Sequence, residues 1–307
     1  MTNYLITIIG PTAIGKTALS IELAQYFNCD IISCDSRQFY KETSIGTAVP
    51  TKEELAAAKH HFIQNKSILE NYNVGEFERE AIKRLDELFQ ENNIQIMVGG
   101  SGLYVNAILN GFDDFPEIDE SIRAQLNTDF EEKGLDYLVE TLKELDLEYY
   151  NYIDENNPQT FKNPQRMKRF VEVCIGTGKP YSSFLKKKTN TRNFTTIIIG
   201  LEADREMMYS RIEQRVDIMM NEGLLKEVEA VFAHKNLNAL QTVGYRELFD
   251  YLDHKTTLDF AVEEIKKNTR RFAKRQLTWF KRTENTKWFR FPFNKEMIIK
   301  EIEKDIK

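Results

Sequence analysis

Gly10-Pro11-Thr12-Ala13-Ile14-Gly15-Lys16-Thr17 constrains this chain more than any other stretch. It satisfies the pattern G-x-x-x-x-G-K-[ST] and stands between a short apolar, β-rich run at residues 4–9 and residues 18–27, whose apolar spacing predicts a helix. In that setting the two glycines let backbone amides close around phosphate oxygens. Lys16 brings positive charge to them, and the Thr17 hydroxyl is placed to ligate magnesium. Nucleotide-binding, ATP-binding loops share the pattern, which identifies a diphosphate or triphosphate and leaves the attached organic group open.

The N-terminal half keeps the same rhythm. Residues 31–33 read as the end of a second buried strand. Residues 76–92 read as an amphipathic helix with Phe77, Ala81, Leu85 and Leu88 on one side, and 94–98 as a further strand closed by Gly99-Gly100-Ser101-Gly102. Alternating strands and helices predict an α/β fold, a P-loop NTPase-like core whose mostly parallel sheet is covered on both faces. Ligands of such sheets bind beyond the carboxyl ends of the strands, where the phosphate loop, Asp35 and residues 99–104 are expected to meet.

Beyond Gly111 and Pro116 the character changes. Residues 118–152 are acidic and helical in pattern, 156–184 are polar, basic and punctuated by Pro158, Pro164 and the Gly176 to Pro180 stop, and 195–201 look like a return to the sheet. A helical insertion over residues 116–194 is therefore expected in a core made of 1–115 and 195–307, with later helices near 205–220, 224–233 and 260–280. The formal net charge of −6 hides a strong segregation. Residues 113–155 hold fifteen acidic residues against three basic ones, 162–192 hold nine basic against one acidic, and 266–290 hold ten basic against Glu284 alone. Such segments can bind phosphates inside an acidic protein, because binding follows the local field.

With 41% apolar and 29% charged side chains the chain is ordinary for a soluble protein. No run approaches the roughly 20 apolar residues that span a bilayer, and no export signal is evident, so a cytoplasmic protein without a membrane partner is expected. Cys29, Cys34 and Cys174 lack metal-ligand spacing and are expected to be reduced packing thiols. His60 and His61 are expected to be structural, and Trp279 and Phe280 to be core.

Two features leave alternatives open. Asp35, where an apolar strand runs into Ser36, Arg37 and Gln38, fits a turn cap, a carboxylate that positions magnesium, or a base that takes a proton from the attacking group. Arg211 and Arg215 are four apart and share a helical face, either directed at a diphosphate or spent on surface ion pairs with Glu206, Glu213 or Asp217.

GPTAIGKT at residues 10–17, IISCDSRQFY at 31–40, the His60-His61 pair, VGEFEREA at 74–81, VGGSGLY at 98–104, NPQRMKRFVEV at 163–173, RIEQRVDIM at 211–219, TVGYRE at 242–247 and NTRRFAKRQLTWF at 268–280 occur together and in order. The set resembles the bacterial tRNA dimethylallyltransferases. The resemblance implies transfer of a dimethylallyl group from dimethylallyl diphosphate to N6 of the adenosine at tRNA position 37, immediately 3′ of the anticodon, with release of diphosphate. It implies Mg2+ as cofactor, the tRNA anticodon stem-loop as partner, and a chain that acts as a monomer.

The resemblance also assigns residues. Gly10, Pro11, Thr12, Ala13, Ile14, Gly15, Lys16, Thr17 and Arg215 would grip the diphosphate. Asp35 would be the general base, with Lys16, Thr17, Ser101 and Arg215 also in the catalytic set, and magnesium would sit at Thr17, with Asp35 reaching it through water. Contacts to tRNA would come from Asp35, Ser36, Arg37, Gln38, Ser101, Arg123, Gln165, Arg166, Met167, Lys168 and Arg169. The charge pattern adds Arg271, Lys274 and Arg275 of the C-terminal basic helix as candidates for backbone contact, with a solvated face over 267–281 as the alternative. Ser101 replaces the usual threonine and Asp136 a frequent histidine. A small-metabolite kinase would explain the phosphate loop without the basic insertion. An adenylate isopentenyltransferase would share the donor site without needing two RNA-sized basic segments, and a nucleic-acid-binding protein without activity would leave the loop and Asp35 unexplained.

Overall fold

All six residues of β1 (Tyr4–Ile9) are buried, the pattern of a strand covered on both faces. In the computed structural model, which describes residues 2–111, 113, 115–185 and 192–306, this strand lies inside a six-stranded sheet. It is followed by α1 (Lys16–Phe27), β2 (Ile31–Ser33), α2 (Lys52–Ala57), β3 (His60–His61), α3 (Val74–Leu88), β4 (Ile94–Gly99) and α4 (Gly102–Asn110). Three helices come next: α5 (Glu120–Leu145), α6 (Leu147–Asn156) and α7 (Pro164–Thr177). The sheet resumes with β5 (Thr195–Glu202), and α8 (Arg205–Glu222), α9 (Leu224–Ala230), α10 (Tyr245–Leu252), α11 (Leu258–Phe280), β6 (Thr286–Arg290) and α12 (Lys295–Glu303) complete the chain.

The strand order is β3-β2-β4-β1-β5-β6, and every pairing is parallel. The α/β fold with its parallel sheet and helical insertion is the one expected from the alternation of elements. Side chains alternate across the sheet. Ile6 and Ile8 pack with Leu19, Leu23, Ile212 and Ile298 on one face, while Leu5 and Ile9 pack with Phe77, Leu85 and Phe280 on the other. Registers Ile9↔Gly99 and Ser33↔Val98 end β1, β2 and β4 close to one level, so the loops that follow them leave the sheet together.

Cα packing divides the chain into two units, residues 1–110 with 191–307 and residues 111–190. Among the described residues the second holds helices and no strand, with a core of Leu126, Leu138, Leu142, Met167, Phe170 and Val173. Its helices start on side-chain caps from Asp119, Asp146 and Asn163, each accepting a backbone N–H of the first turn. Gly134, at φ +79, breaks α5 into two segments. No helix of the described residues is long and apolar enough to cross a membrane.

Candidate active site

The turn from β1 into α1 is built on two glycines. Gly10 has φ +149, and a Cβ there would lie 2.6 Å from the Leu201 carbonyl oxygen; Gly15, the N-cap of α1, has φ +104. A side chain at either position would force the loop off its path. Ile14 sends its side chain into the core, leaving its backbone to the loop. Lys16 Nζ donates to the carbonyls of Gly10 and Pro11 at 3.0 and 2.8 Å. Enclosure by the loop lowers the Lys16 pKa to about 8, with Asp35 opposing that fall and Arg215 adding to it.

Arg211 and Arg215, one turn apart on α8, divide their work. Arg211 braces the loop from behind: its Nε donates to the Ala13 carbonyl at 2.7 Å and its guanidinium lies 4.6 Å from the Phe291 ring centre. Arg215 lines a cavity of about 530 Å3 together with Thr12, Asp35, Ser36 and Ser101. Burial lowers the pKa of Arg215, Asp35 raises it and Arg211 lowers it further. Neither arginine takes the surface ion pairs that the sequence allowed, since Glu213 pairs with Arg270 and Asp217 with Lys266.

Asp35 turns out to be both a cap and a cavity residue. Its Oδ1 accepts the Arg37 N–H at 3.2 Å and its main-chain carbonyl accepts the Gln38 N–H at 2.9 Å, closing the turn after β2. Its Oδ2 faces the Gly100 side of the cavity, where a Cβ on Gly100 would lie 3.5 Å away. Beside it, Ser101 Oγ accepts the Ser36 N–H at 3.0 Å and stands 3.0 Å from the Ser36 hydroxyl. The Ser101 hydroxyl thus ties the β4–α4 turn to the Asp35 turn.

Several expected contact residues spend their polar groups on the protein. Arg37 lines the cavity, but its guanidinium donates to the carbonyls of Asn238 and Ala239 at 3.0 and 2.9 Å. The Gln38 amide donates to the carbonyls of Thr47 and Ala48 at 3.2 and 2.8 Å. Loop carbonyls without sheet partners need such donors, and both side chains brace the turns around the cavity. The Met167 side chain is fully buried in the core of the helical unit. On the surface of that unit, Gln165 and Arg166 are exposed at the start of α7. Arg123 and Arg169 share the buried Glu172 carboxylate at 2.8 and 3.3 Å, and Lys168 Nζ donates to Asn127 Oδ1 at 2.8 Å.

Two cavity residues escaped the sequence reading. Gln276 on α11 is buried, with Oε1 accepting the Thr12 N–H at 2.9 Å and Nε2 donating to the Gly100 carbonyl at 2.8 Å. One amide therefore spans the phosphate loop and the turn beside Asp35. Trp279, expected in the core, is 42% exposed and lines the cavity, its ring lying where a Cβ on Gly102 would sit, whereas Phe280 is buried as expected. His60 and His61 are structural: His61 Nε2 pairs with Asp30 Oδ2 at 2.7 Å and His60 Nδ1 lies 2.8 Å from the Ala58 carbonyl.

Thr12 of the phosphate loop, the Asp35 carboxylate and the buried Arg215 share one cavity, the arrangement of an enzyme acting on a phosphorylated substrate on a parallel α/β sheet. Comparison with known proteins narrows the class. The IPP transferase family profile matches residues 38–283. The tRNA dimethylallyltransferase of Flavobacterium johnsoniae is 68% identical over 99% of both chains. Among solved structures, a tRNA isopentenylpyrophosphate transferase of Staphylococcus epidermidis is 35% identical, covers 99% of this chain and 98% of its own, and gives a TM-score of 0.70. A eukaryotic dimethylallyltransferase described as acting on tRNA gives 0.79 at 26% identity, covering 94% of this chain and 74% of its own. The chain belongs to the IPP transferase family. The profile match begins three residues after Asp35, so for the phosphate loop and Asp35 the likeness rests on relatives that span the whole chain.

Proposed function

We propose that this chain transfers the dimethylallyl group of dimethylallyl diphosphate to N6 of the adenosine at tRNA position 37, with Asp35 as general base. Transfer to a tRNA adenosine follows from membership of the family; the position and the residue roles are our reading. One observation carries the roles: Asp35 presents a carboxylate oxygen to the cavity that Thr12 and Arg215 also line. The allylic C–O bond breaks, the N6–C bond forms, the N6 proton passes to Asp35 and diphosphate leaves. Lys16 and Arg215 offset the charge that develops on the leaving group. Because the N6 lone pair is conjugated into the ring, a base that orients the N–H and takes its proton is the natural aid.

The adenine has to leave the stacked loop to reach Asp35, and the Ser36 and Ser101 hydroxyls beside the carboxylate are suited to its edge. The helical unit serves as the module for the anticodon stem-loop, with Arg123, Gln165, Arg166, Lys168 and Arg169 toward RNA phosphates and bases.

Among the described residues no three His, Cys, Asp or Glu side chains gather to hold a metal. A hydroxyl and a carboxylate, Thr17 and Asp35, are the oxygen donors that suit a magnesium ion arriving with the diphosphate, with Asp35 reaching it through water. Magnesium bound there would stabilise the leaving diphosphate as a Lewis acid.

The test is incubation with dimethylallyl diphosphate, magnesium and unmodified anticodon stem-loops carrying adenine or guanine at position 37, followed by product mass. One added dimethylallyl group on the adenine substrate alone is expected. Phosphorylation of an acceptor by ATP, or prenylation of free AMP with no reaction on RNA, overturns the reading.

A further inference from the structure

Between β2 and α2 the chain forms a long loop that carries Asp35 at one end and reaches the cavity again at Gly46 and Thr47. Its far end is held by one side chain on α9. Glu227 Oε2 accepts the N–H groups of Ser44 and Ile45 at 2.8 and 2.7 Å, and Oε1 accepts the Gly46 N–H at 2.9 Å and the Tyr245 hydroxyl at 2.6 Å. Three successive amides converging on one point make an anion-binding nest, and here the protein fills it with its own carboxylate. Tyr245 is fully buried, and burial reinforced by Glu227 pushes its pKa up, so the hydroxyl stays a donor.

The tie runs on toward the chemistry. Thr47 and Ala48 accept the Gln38 amide, and the Gln38 N–H closes the Asp35 turn. Glu227 itself does not line the cavity, whereas Gly46 does, beside Val216, Met219, Leu224 and Val243. Gly46 is wedged in place: a Cβ there would lie 2.6 Å from the Tyr245 ring and 2.9 Å from Leu224.

Allylic diphosphates share the group that the phosphate loop grips and differ only in the apolar tail, so choice among them falls to the apolar wall. A wall made partly of a backbone turn is only as firm as its anchors. We infer that Glu227 is a positioning residue that fixes the 44–47 turn as part of the apolar wall and thereby sets which prenyl diphosphate is accepted. The inference rests on the cavity being the prenyl diphosphate site.

Glu227→Gln keeps the volume but turns one acceptor into an N–H2 group facing donors. With RNA saturating and assays well below the melting temperature, KM for dimethylallyl diphosphate is expected to rise about tenfold, and the geranyl-to-dimethylallyl ratio of kcat/KM to change by about tenfold or more. KM for RNA is expected to stay put. A lowered Tm with donor KM and selectivity unchanged marks a merely structural glutamate and overturns the inference. Should E227Q fail to fold, Tyr245→Phe removes one of the four donors and keeps the ring: a shift of roughly threefold in the same ratio supports the role, and no shift overturns it. If the parent enzyme does not use dimethylallyl diphosphate at all, the functional reading fails and the inference with it. If the parent works and the variants shift nothing, only the inference fails.

Discussion

Lys16 is a cation without a carboxylate partner in hydrogen-bond reach, held by two loop carbonyls and by the nearness of Asp35. Its pKa, about 8 in the fold against an ordinary 10.5, has consequences of opposite sign for stability and for binding. Between those pH values the unfolded chain binds more protons than the folded one, so the stability contribution of this group rises with pH across that window. Donor binding goes the other way, because a neutral amine cannot offset the diphosphate. With RNA saturating, kcat/KM for the donor is expected to fall with an apparent pKa of about 8, and above that pH donor binding is expected to take up a proton. Calorimetry in buffers of different ionisation heat reads the uptake, and a pH-independent kcat/KM from 7 to about 9.5 rules this out. For Asp35, Asp35→Ala is expected to leave donor affinity near that of the parent and slow single-turnover transfer by about 100-fold or more. An unchanged chemical rate excludes the base role. Both residues were legible in the sequence, Lys16 because the phosphate pattern is contiguous and Asp35 because a charge follows a buried strand. The double placement of Asp35 was not, since the turn and the cavity share one side chain and only geometry gives one oxygen to each.

At the scale of elements, α11 shows where periodicity stops informing. Adjacent residues on a helix point about 100° apart, and here they meet different surroundings: Phe280 takes the core and Trp279 the cavity. Gln276 lies 264 residues from Thr12, and no local pattern announces a polar residue that crosses from helix to phosphate loop. β3 was equally silent, for two half-buried residues carry no alternation to read. Gln276→Leu fills the space yet leaves the Thr12 N–H and the Gly100 carbonyl without their partner. The expected cost is about 1–3 kcal/mol of stability, read as a lower denaturation midpoint. Because the lost bonds set the phosphate loop against the Asp35 side of the cavity, kcat is expected to fall further than donor KM rises. A variant that loses stability and keeps kcat would make Gln276 a packing residue alone.

At the scale of the molecule, an acidic chain keeps its cations where RNA is expected to lie. Of the five surface residues proposed for RNA on the helical unit, Arg123 and Arg169 already share Glu172, and Lys168 leans on Asn127 and lies 4.1 Å from the Phe130 ring centre. Arg166 is exposed at the first helical turn of α7. The pairing with a buried carboxylate orients two guanidinium groups ahead of the proposed RNA contact, at the expense of one unit of the local charge. Charge segregation in the sequence pointed to this unit, yet it could not separate arginines that are free to meet a phosphate from those already paired. The difference is measurable as salt dependence. Arg166→Ala is expected to weaken stem-loop binding and to reduce the slope of log K against log salt by about 0.7 to 1, while leaving donor KM unchanged. Arg169→Ala is expected to reduce the slope by less, since its removal also frees Glu172 from one partner and shifts that carboxylate wholly onto Arg123. Equal slopes for the parent and Arg166→Ala would take Arg166 off the RNA path, and a change in donor KM with it would place its effect in the catalytic unit instead.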